Sequence, residues 1–401
     1  IIGSTGNEKL IRHTNKTSIK NEWINMYNKV IHTIPLTFPK VNNIENIDIK
    51  TGLKAFRCHT RIRSCCGLGH ALTRVLPSMV YTKLNGDCSV MDWTVMRGPN
   101  PVNIWFELFN DDEDIVSWKY DNEFKKKYYY NITFRVDNEP PPFKLPYNFA
   151  SHSNPIMSKI NQKSNGINDV LHQYFVLKML MNFRQKYINI LDEFMINNGF
   201  HNYPIYCTHI RTGNGEIQDF EEPGGKARLI KDFYQNIKTL IDGIIKLYPI
   251  KDKNNDKVML FVTSDDHDII PKINDVINQN STLKTLVKQY NINVFKREIW
   301  LPKHGQGTRF LDWTNKGSKP INESYLQNTN NIIKHHFDMY ADMVIPGHCD
   351  ALFLTTYSSF TLVPSMLTLL RDKPVCFMTN DKKNFMCYLD WREFKLFTND
   401  K

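Results

Sequence analysis

The second half of the chain alternates between apolar runs and amphipathic stretches, and this alternation constrains the fold more than any other feature. From residue 203 onward, each short apolar run is followed by a stretch whose apolar residues recur at helical spacing. The predicted strands are 203–209, 258–263, 292–295, 351–356 and 375–378. Strands that alternate with helices form a parallel sheet with helices on both faces. The sequence therefore predicts an α/β protein.

The first half repeats this pattern once. The Gly-rich turn Gly67-Leu68-Gly69-His70 precedes a helical stripe over 72–84 and an apolar strand over 88–93. The segment 119–160 is polar and contains three consecutive prolines, which is typical of a long loop. A β–α–β unit that opens on a glycine turn is thus predicted ahead of the second-half sheet.

Length and pattern together predict two lobes. A chain of 401 residues is long for one core. The predicted divisions are a peripheral stem at 1–50, an N-terminal lobe at 51–165, a connecting helix at 166–200, a C-terminal lobe at 201–380 and a C-terminal segment at 381–401. Because the chain begins at Ile1, we expect a fragment or processed form from which an N-terminal anchor or signal can have been removed.

The net charge of +10 favours anionic partners such as nucleic acid, membrane surfaces or phosphate-bearing ligands. The alternative explanation of this net charge is that lysine is simply abundant in the chain. The chain lacks the mixed aromatic and basic stretches of single-strand binders, so nucleic acid is not the expected partner. No apolar run of about 18 residues occurs, so no membrane span is expected within this chain.

Cysteine and asparagine patterns bear on the compartment. None of the eight cysteines forms a CxxC pair, which argues against a zinc ribbon, and no metal site is expected. Four cysteines within 58–88 suit local disulfides, and buried free thiols fit as well. Glycosylation sequons occur at Asn15, Asn131, Asn280 and Asn322. These features favour the ER or Golgi lumen, with an intracellular location as the alternative.

Polar clusters follow three of the predicted strands. They are His209-Ile210-Arg211, Ser264-Asp265-Asp266 and Tyr357-Ser358-Ser359-Phe360. Carboxyl ends of parallel strands share one rim of a sheet, and ligands bind there. The Arg211 guanidinium suits a diphosphate, Gly213 allows close backbone approach, and a helix start after Ser359 suits a phosphate. Singly, each cluster has a structural alternative: an ion pair for the arginine, and helix caps for the acidic and serine residues.

Together the three clusters resemble the motifs of the fucosyltransferase superfamily. That group includes core α1,6-fucosyltransferases, rhizobial nodulation fucosyltransferases and protein O-fucosyltransferases. His209-Ile210-Arg211 is similar to the first motif and 262–266 to the second. Asp342, Asp350 and the segment 356–360 look like the third. The turn at 67–70 and the pair Asp92-Trp93 resemble features of the family's first domain.

This resemblance implies a GT-B fold, in which two Rossmann-like lobes face each other across a cleft and the N-terminal lobe lies on the acceptor side. It further implies GDP-fucose as donor substrate, a glycan or glycoprotein acceptor, inversion at the sugar carbon, and neither metal nor cofactor. Arg211 would hold the β-phosphate, while His209 and Asp342 would contact the guanine. The remaining donor-site residues implied are Gly67, Gly69, His70, Gly213, Asp265, Asp266, Ser358, Ser359 and Phe360.

The sequence departs from the family at Thr212, where α1,6 enzymes carry a second arginine, so the linkage stays open. An inverting transfer also needs a carboxylate base. Glu216, Asp219 and Glu221 are the candidates, and spacing favours Asp219 over Glu216. Two other functions stay open: a GT-B transferase that uses another sugar nucleotide, and a non-catalytic protein that binds glycan or nucleic acid.

Overall fold

A computed structural model describes the side chains of nine segments of the chain and the backbone of the short elements that flank them. The nine segments are residues 18–32, 103–110, 173–210, 233–247, 257–264, 268–298, 328–354, 360–378 and 384–389. The backbone alone is described for 46–47, 54–56, 58–63, 88–92, 94–95, 102, 118–119, 128–130, 168–172, 225–232 and 359.

The first half contains one helix followed by short strands. Helix α1 spans Ile19–Ile31, and a one-turn helix α2 spans Ile104–Leu108. The strands are β1 Asn46–Ile47, β2 Lys54–Phe56, β3 Cys58–Arg63, β4 Cys88–Asp92, β5 Thr94–Val95, β6 Val102–Asn103, β7 Trp118–Lys119 and β8 Tyr128–Tyr130. Strands β3, β4 and β7 form a parallel sheet in that order. Parallel pairing of β3 with β4 is what the predicted β–α–β unit requires.

Helix α1 corrects the prediction of an irregular peripheral stem at 1–50. The Ser18 side chain accepts a hydrogen bond from the Lys20 amide at the helix start. Ile19, Trp23, Met26 and Val30 are buried, at the i, i+4, i+7 and i+11 positions of one helix face. The Asp192 carboxylate accepts hydrogen bonds from the Ser18 hydroxyl and the Ile19 amide, which ties this helix start to the body of the protein.

The connecting helix predicted over 166–200 is two helices. Helix α3 spans Asn168–Met181 and α4 spans Gln185–Asn197. The helical conformation is interrupted where Phe183 pairs with Phe109 in an isolated β-bridge. There the Asn110 amide donates to the carbonyl oxygen of Asn182, and the Arg184 amide donates to that of Leu108. Gly199, at φ 72°, follows α4 in the left-handed conformation that commonly ends a helix.

The second half forms a six-stranded sheet in the order β11-β10-β9-β12-β13-β14. The strands are β9 Ile205–Ile210, β10 Val258–Ser264, β11 Ile292–Phe295, β12 Ala351–Leu354, β13 Val375–Met378 and β14 Phe385–Tyr388. All neighbours are parallel except β13 and β14. This sheet, which is mostly parallel and has helices on both faces, confirms the predicted α/β class. Strand β14 extends the sheet past the predicted boundary at 380.

Helices cover both faces of this sheet, because successive strand residues point to opposite sides. Phe261 in β10 packs in one core cluster, whereas Leu260 and Val262 pack in the other. Helices α5 Gly225–Leu247, α6 Ile269–Gln279 and α7 Ser281–Gln289 cover the second cluster. Helices α8 Thr329–Val344 and α9 Leu362–Leu370 cover the first, together with α1, α3 and α4.

Two disulfides tie this sheet together. Cys207 in β9 is bonded to Cys349, just before β12. Cys376 in β13 is bonded to Cys387, its register partner in β14. The cysteines between 58 and 88, for which local disulfides were predicted, have side chains outside the described residues.

Candidate functional site

The strand order places a topological switch point between β9 and β12. From β9 the chain passes to β10 and β11 on one side, and then crosses to β12 and β13 on the other. Helices α5, α6 and α7 lie on one face and α8 and α9 on the opposite face. In open α/β sheets of this topology the ligand crevice opens beyond the carboxyl ends of the two strands that flank the switch point.

His209 lies at this point, one residue before the end of β9. Its ring is buried, with 7% of the residue exposed. Nδ1 is 3.1 Å from the Thr263 hydroxyl of β10. The ring stacks on Phe360, with centroids 4.8 Å apart and planes inclined by 26°. His209 therefore joins residues that follow or end three neighbouring strands, β10, β9 and β12.

These contacts bring the three predicted clusters together. Thr263 belongs to the second motif segment, 262–266, and Phe360 ends the third, 356–360. Both touch the histidine of the first. Thr263 and Phe360 lie 54 and 151 residues after His209 in the sequence. Parallel strand pairing and the turn after β12 bring them into contact with it.

The hydrogen bonds around Thr263 assign the proton of the His209 ring. The Thr263 hydroxyl donates to the Thr208 carbonyl oxygen at 3.4 Å, so its lone pair accepts from Nδ1–H of His209. Nδ1 then carries the proton of the neutral ring, and Nε2 is the acceptor. This tautomer suits recognition of an N–H donor on a ligand.

The segment after β12 enters helix α9 through a turn of 3₁₀-helix at Ser359–Thr361. Phe360, in the middle of that turn, is the residue that stacks on His209. A helix start beside the switch point directs free backbone N–H groups and the positive end of a dipole toward the crevice. The phosphate seat at Ser359 and Phe360 remains a prediction.

Asp342, on α8, is part of a buried cluster with Arg297 and Asp338. Arg297 lies two residues past the end of β11. Its Nε donates to Oδ1 of Asp342 at 3.0 Å, and its Nη1 donates to Oδ1 of Asp338 at 2.7 Å. Its Nη2 donates to the Asp338 carbonyl oxygen at 2.9 Å. One guanidinium thus binds two carboxylates that are four residues apart on one helix face.

This imbalance of charge affects Asp342 most. Burial raises the pKa of Asp342 to about 6, and the neighbouring Asp338 carboxylate also raises it, whereas Arg297 and Lys296 lower it. The two carboxylates raise the pKa of Arg297 above its ordinary value despite its burial, so Arg297 is charged at every accessible pH. The cluster accordingly carries an excess negative charge near neutral pH that is lost in mild acid.

Most other predicted site residues lie outside the described residues. These are Arg211, Gly213, Glu216 and Asp219 after β9, Asp265 and Asp266 after β10, Ser358 before the 3₁₀ turn, and Gly67, Gly69 and His70 in the first half. Of Ser359 the backbone is described. Arg211 directly follows Ile210, the last residue of β9, and Asp265 directly follows Ser264, the last of β10.

Arg297 and Asp338 were missed by sequence reasoning. A signal existed for both: Arg297 follows the end of a predicted strand, as the three recognised clusters do, and Asp338 precedes Asp342 by four residues on a predicted helix. A lone arginine after a short strand does not stand out in a chain with 51 lysines and arginines.

Comparison with known proteins found similarity in structure. No protein-family model matches the chain, and no curated protein sequence matches it. A structure of NodZ alpha-1,6-fucosyltransferase soaked with GDP-fucose matches 82% of this chain and 98% of its own, at 13% identity and a TM-score of 0.46. A mutant of Arabidopsis thaliana FUT1 in complex with GDP matches 92% of this chain and 81% of its own, at 11% identity and a TM-score of 0.47. POFUT1 in complex with GDP-fucose matches 79% of this chain and 96% of its own, at 14% identity and a TM-score of 0.39.

These similar structures are fucosyltransferases, the superfamily that the motifs resemble. Among the helices that the structure describes, none is both long enough and apolar enough to cross a bilayer.

Proposed function

We propose that this protein is an inverting, metal-independent fucosyltransferase that moves fucose from GDP-fucose to a hydroxyl of a glycan or glycoprotein. The observation that supports this most is the position of His209. At the switch point of the sheet, it contacts Thr263 of the second motif segment and Phe360 of the third. Motifs recognised separately in the sequence thus meet where a nucleotide site is expected.

In the proposed reaction, a carboxylate takes the proton of the acceptor hydroxyl. The acceptor oxygen then forms a bond to the anomeric carbon of fucose while the bond from that carbon to the β-phosphate oxygen breaks. GDP leaves with the bonding electrons, and the Arg211 guanidinium and the amides at the start of α9 bind its phosphates. A fixed positive charge at the diphosphate replaces the role that a metal ion has in other transferases. Asp219 is the favoured base and Glu216 the alternative.

The first test is nucleotide selectivity. GDP at a hundred times its dissociation constant adds about 2.7 kcal/mol to the free energy of unfolding, whereas UDP and ADP at the same concentration should add much less. Differential scanning fluorimetry measures all three. Equal shifts, or no shift, would contradict the proposal. GDP-fucose incubated with a glycan array, read by mass, then identifies the acceptor.

The second test is Arg211→Ala, which should lower transfer at least about a hundredfold, because it removes a preorganised donor from a developing anion. Lys238→Ala removes an exposed cation from α5 and is the matched control. Asp219→Asn and Glu216→Gln separate the two candidate bases: the base is the one whose replacement abolishes transfer while GDP still binds. Normal turnover in a folded Arg211→Ala protein would remove the assigned role.

The disulfides Cys207–Cys349 and Cys376–Cys387 support a further part of the proposal, an oxidising compartment such as the ER or Golgi lumen. Labelling of free thiols before and after reduction, on protein secreted from cells, tests it.

A further inference from the structure

One of the two carboxylate oxygens of Asp342 has a hydrogen-bond donor among the described residues. Its Oδ1 accepts a hydrogen bond from Arg297, while no described residue donates to its Oδ2. The side chain is 10% exposed. Oδ2 is not among the fully buried polar atoms that lack a hydrogen-bond partner, so this oxygen is accessible to an N–H or O–H group of a ligand.

All three nitrogens of the Arg297 guanidinium donate hydrogen bonds to Asp342 or Asp338. Nε, Nη1 and Nη2 each donate to an oxygen of Asp342 or Asp338 at 2.7–3.0 Å. Its guanidinium also lies over the Phe337 ring, with the central carbon 5.9 Å from the centroid. A guanidinium held at three nitrogens and one face has one orientation, so Arg297 acts on Asp342 and not on a ligand directly.

We propose that Arg297 is a positioning residue of the donor site: it fixes Asp342 with Oδ2 toward the nucleotide base, and together with Asp338 it makes base binding depend on protonation. This inference rests on the proposed function. The guanine edge offers two adjacent N–H donors, which match an ionised carboxylate. Adenine and uracil lack that pair, so the same carboxylate discriminates against them.

The charges that act on Asp342 determine the direction of the pH effect. Arg297 and Lys296, which follow β11, favour the ionised form, whereas burial and Asp338, on the same helix, disfavour it. A protonated Asp342 cannot accept from both guanine donors. GDP affinity should therefore fall as the pH drops through the pKa of this carboxyl, which is about 6.

The test is the dissociation constant of GDP from pH 5 to pH 8, measured by calorimetry on the full chain. Arg297→Gln removes the positive partner and should move the midpoint of the pH profile upward, by about one to three pH units. Asp338→Asn removes the competing negative charge, keeps an acceptor oxygen for Arg297, and should move the midpoint downward. Arg297→Lys retains the charge and should return the midpoint toward the wild-type value.

Asp342→Asn supplies the baseline, because any remaining pH dependence comes from the phosphates of GDP, which themselves titrate near pH 6. Opposite shifts in Arg297→Gln and Asp338→Asn support the positioning role. GDP binding whose profile moves in neither variant would overturn it while leaving the proposed function intact. A wild-type chain that binds no GDP at any pH would overturn the proposed function itself. If Arg297→Gln does not fold, the Asp338→Asn variant tests the positioning role alone. A downward shift of its midpoint supports the role, and any other result overturns it.

Discussion

The protein contains two buried clusters of charged side chains that differ in their balance of charge. In the first, Arg297 is shared between Asp338 and Asp342. In the second, Glu22 of helix α1 binds Nδ1 of His348 at 2.8 Å, and Nε of Arg371 at 3.3 Å. Carboxylates outnumber cations in the first cluster, whereas in the second a single carboxylate is surrounded by donors.

In the second cluster, both ring nitrogens of the buried His348 have hydrogen-bond partners. Nε1–H of Trp23 donates to Nε2 of His348 at 3.0 Å, and an indole nitrogen can only donate. His348 is therefore neutral, with its proton on Nδ1 directed at Glu22. Burial lowers the pKa of His348 more than the nearby Glu22 and Asp192 carboxylates raise it, and Arg371 also lowers it.

The difference separates two uses of buried charge. Burial would raise the pKa of Glu22, but the hydrogen bond from His348 and the charges of Arg371 and His201 lower it to about 2. Glu22 thus stays ionised, and its cluster attaches α1 to the turn before β12. The Asp342 carboxyl, whose pKa is about 6, lacks such completion among the described residues. The Glu22 carboxylate thus has two described donors, whereas the Asp342 carboxylate has one, Arg297.

The largest effect is expected from Arg297→Met, which leaves two buried carboxylates without their cation. The free energy of unfolding at pH 7.5 should fall by about 3–5 kcal/mol. At pH 5 the deficit should shrink, because the Asp342 carboxyl, whose pKa is about 6, is then largely protonated and needs no cation. Urea denaturation at both pH values measures it, with Lys238→Met as the control for an exposed cation. The same loss at both pH values would exclude the electrostatic explanation.

Trp23→Phe tests the second cluster and should cost about 1–3 kcal/mol, because it leaves a buried acceptor on His348 unpaired. His348→Phe and the double variant complete a mutant cycle. A coupling energy of about 1 kcal/mol or more is expected for two side chains in direct contact. Strictly additive losses would mean that the Trp23–His348 hydrogen bond contributes nothing to attachment of α1.

The pH dependence of stability should separate the two clusters by sign. The folded-state pKa of His348 lies below its ordinary value of 6.5, so its contribution is present at neutral pH and is lost as the pH falls below 6.5. The pKa of Asp342 lies above its ordinary value of 3.8, so stability from this group is gained as the pH falls through about 6. The stability that Glu22 contributes is fully present above pH 4.5 and is lost as the pH falls toward 2.

Between pH 7 and pH 5, His348→Gln should therefore lose less stability than the wild type, and Asp342→Asn should lose more. Each difference is at most about 1.4 kcal/mol per unit of pKa shift. His336, whose pKa burial lowers well below its ordinary value, acts in the same direction as His348. His336→Phe should therefore change the pH slope in the same direction as His348→Gln. Thermal denaturation across this range measures all four proteins, and identical pH slopes would refute the assignment.

The smallest effect is expected from Lys29→Ala, which removes an ion pair at the far end of α1. The Lys29 and Asp372 side chains are 62% and 85% exposed, with 3.2 Å between Nζ and Oδ2. Exposed pairs contribute about 0–1 kcal/mol, and salt screens them. A loss near that of Trp23→Phe would show that α1 is held by its surface and not by the buried cluster.

Much of the second-half fold could be predicted from the sequence. Strand 292–295 was predicted with its observed bounds, because both faces of the sheet are covered and apolar runs mark its strands plainly. The predictions failed where a tertiary contact decides. One helix was predicted over 166–200, but pairing of Phe183 with Phe109 divides it in two. Helix α1 was missed although its Ser18 cap and buried stripe are local signals.

The candidate site divides in the same way. His209, Asp342 and Phe360 were identified from strand ends and motif resemblance, and the structure brings His209 and Phe360 into contact. The base, Asp219 or Glu216, and the phosphate contacts of Arg211 remain predictions. Arg297 and Asp338 were not identified although each has a local signal, because the significance of an arginine after β11 depends on which helix packs beside it.

The sequence alone determined the alternation of strands and helices, and with it a sheet whose carboxyl rim carries polar residues, since periodicity and strand-end chemistry are local properties of the chain. The tertiary structure decided which of those residues meet. The order β10-β9-β12 places Thr263, His209 and Phe360 side by side, and the packing of α8 beside β11 places two aspartates on one arginine. Burial then raises the pKa of the Asp342 carboxyl, whereas its donors lower the pKa of the Glu22 carboxyl, and both shifts exist only after folding has removed water from around these groups.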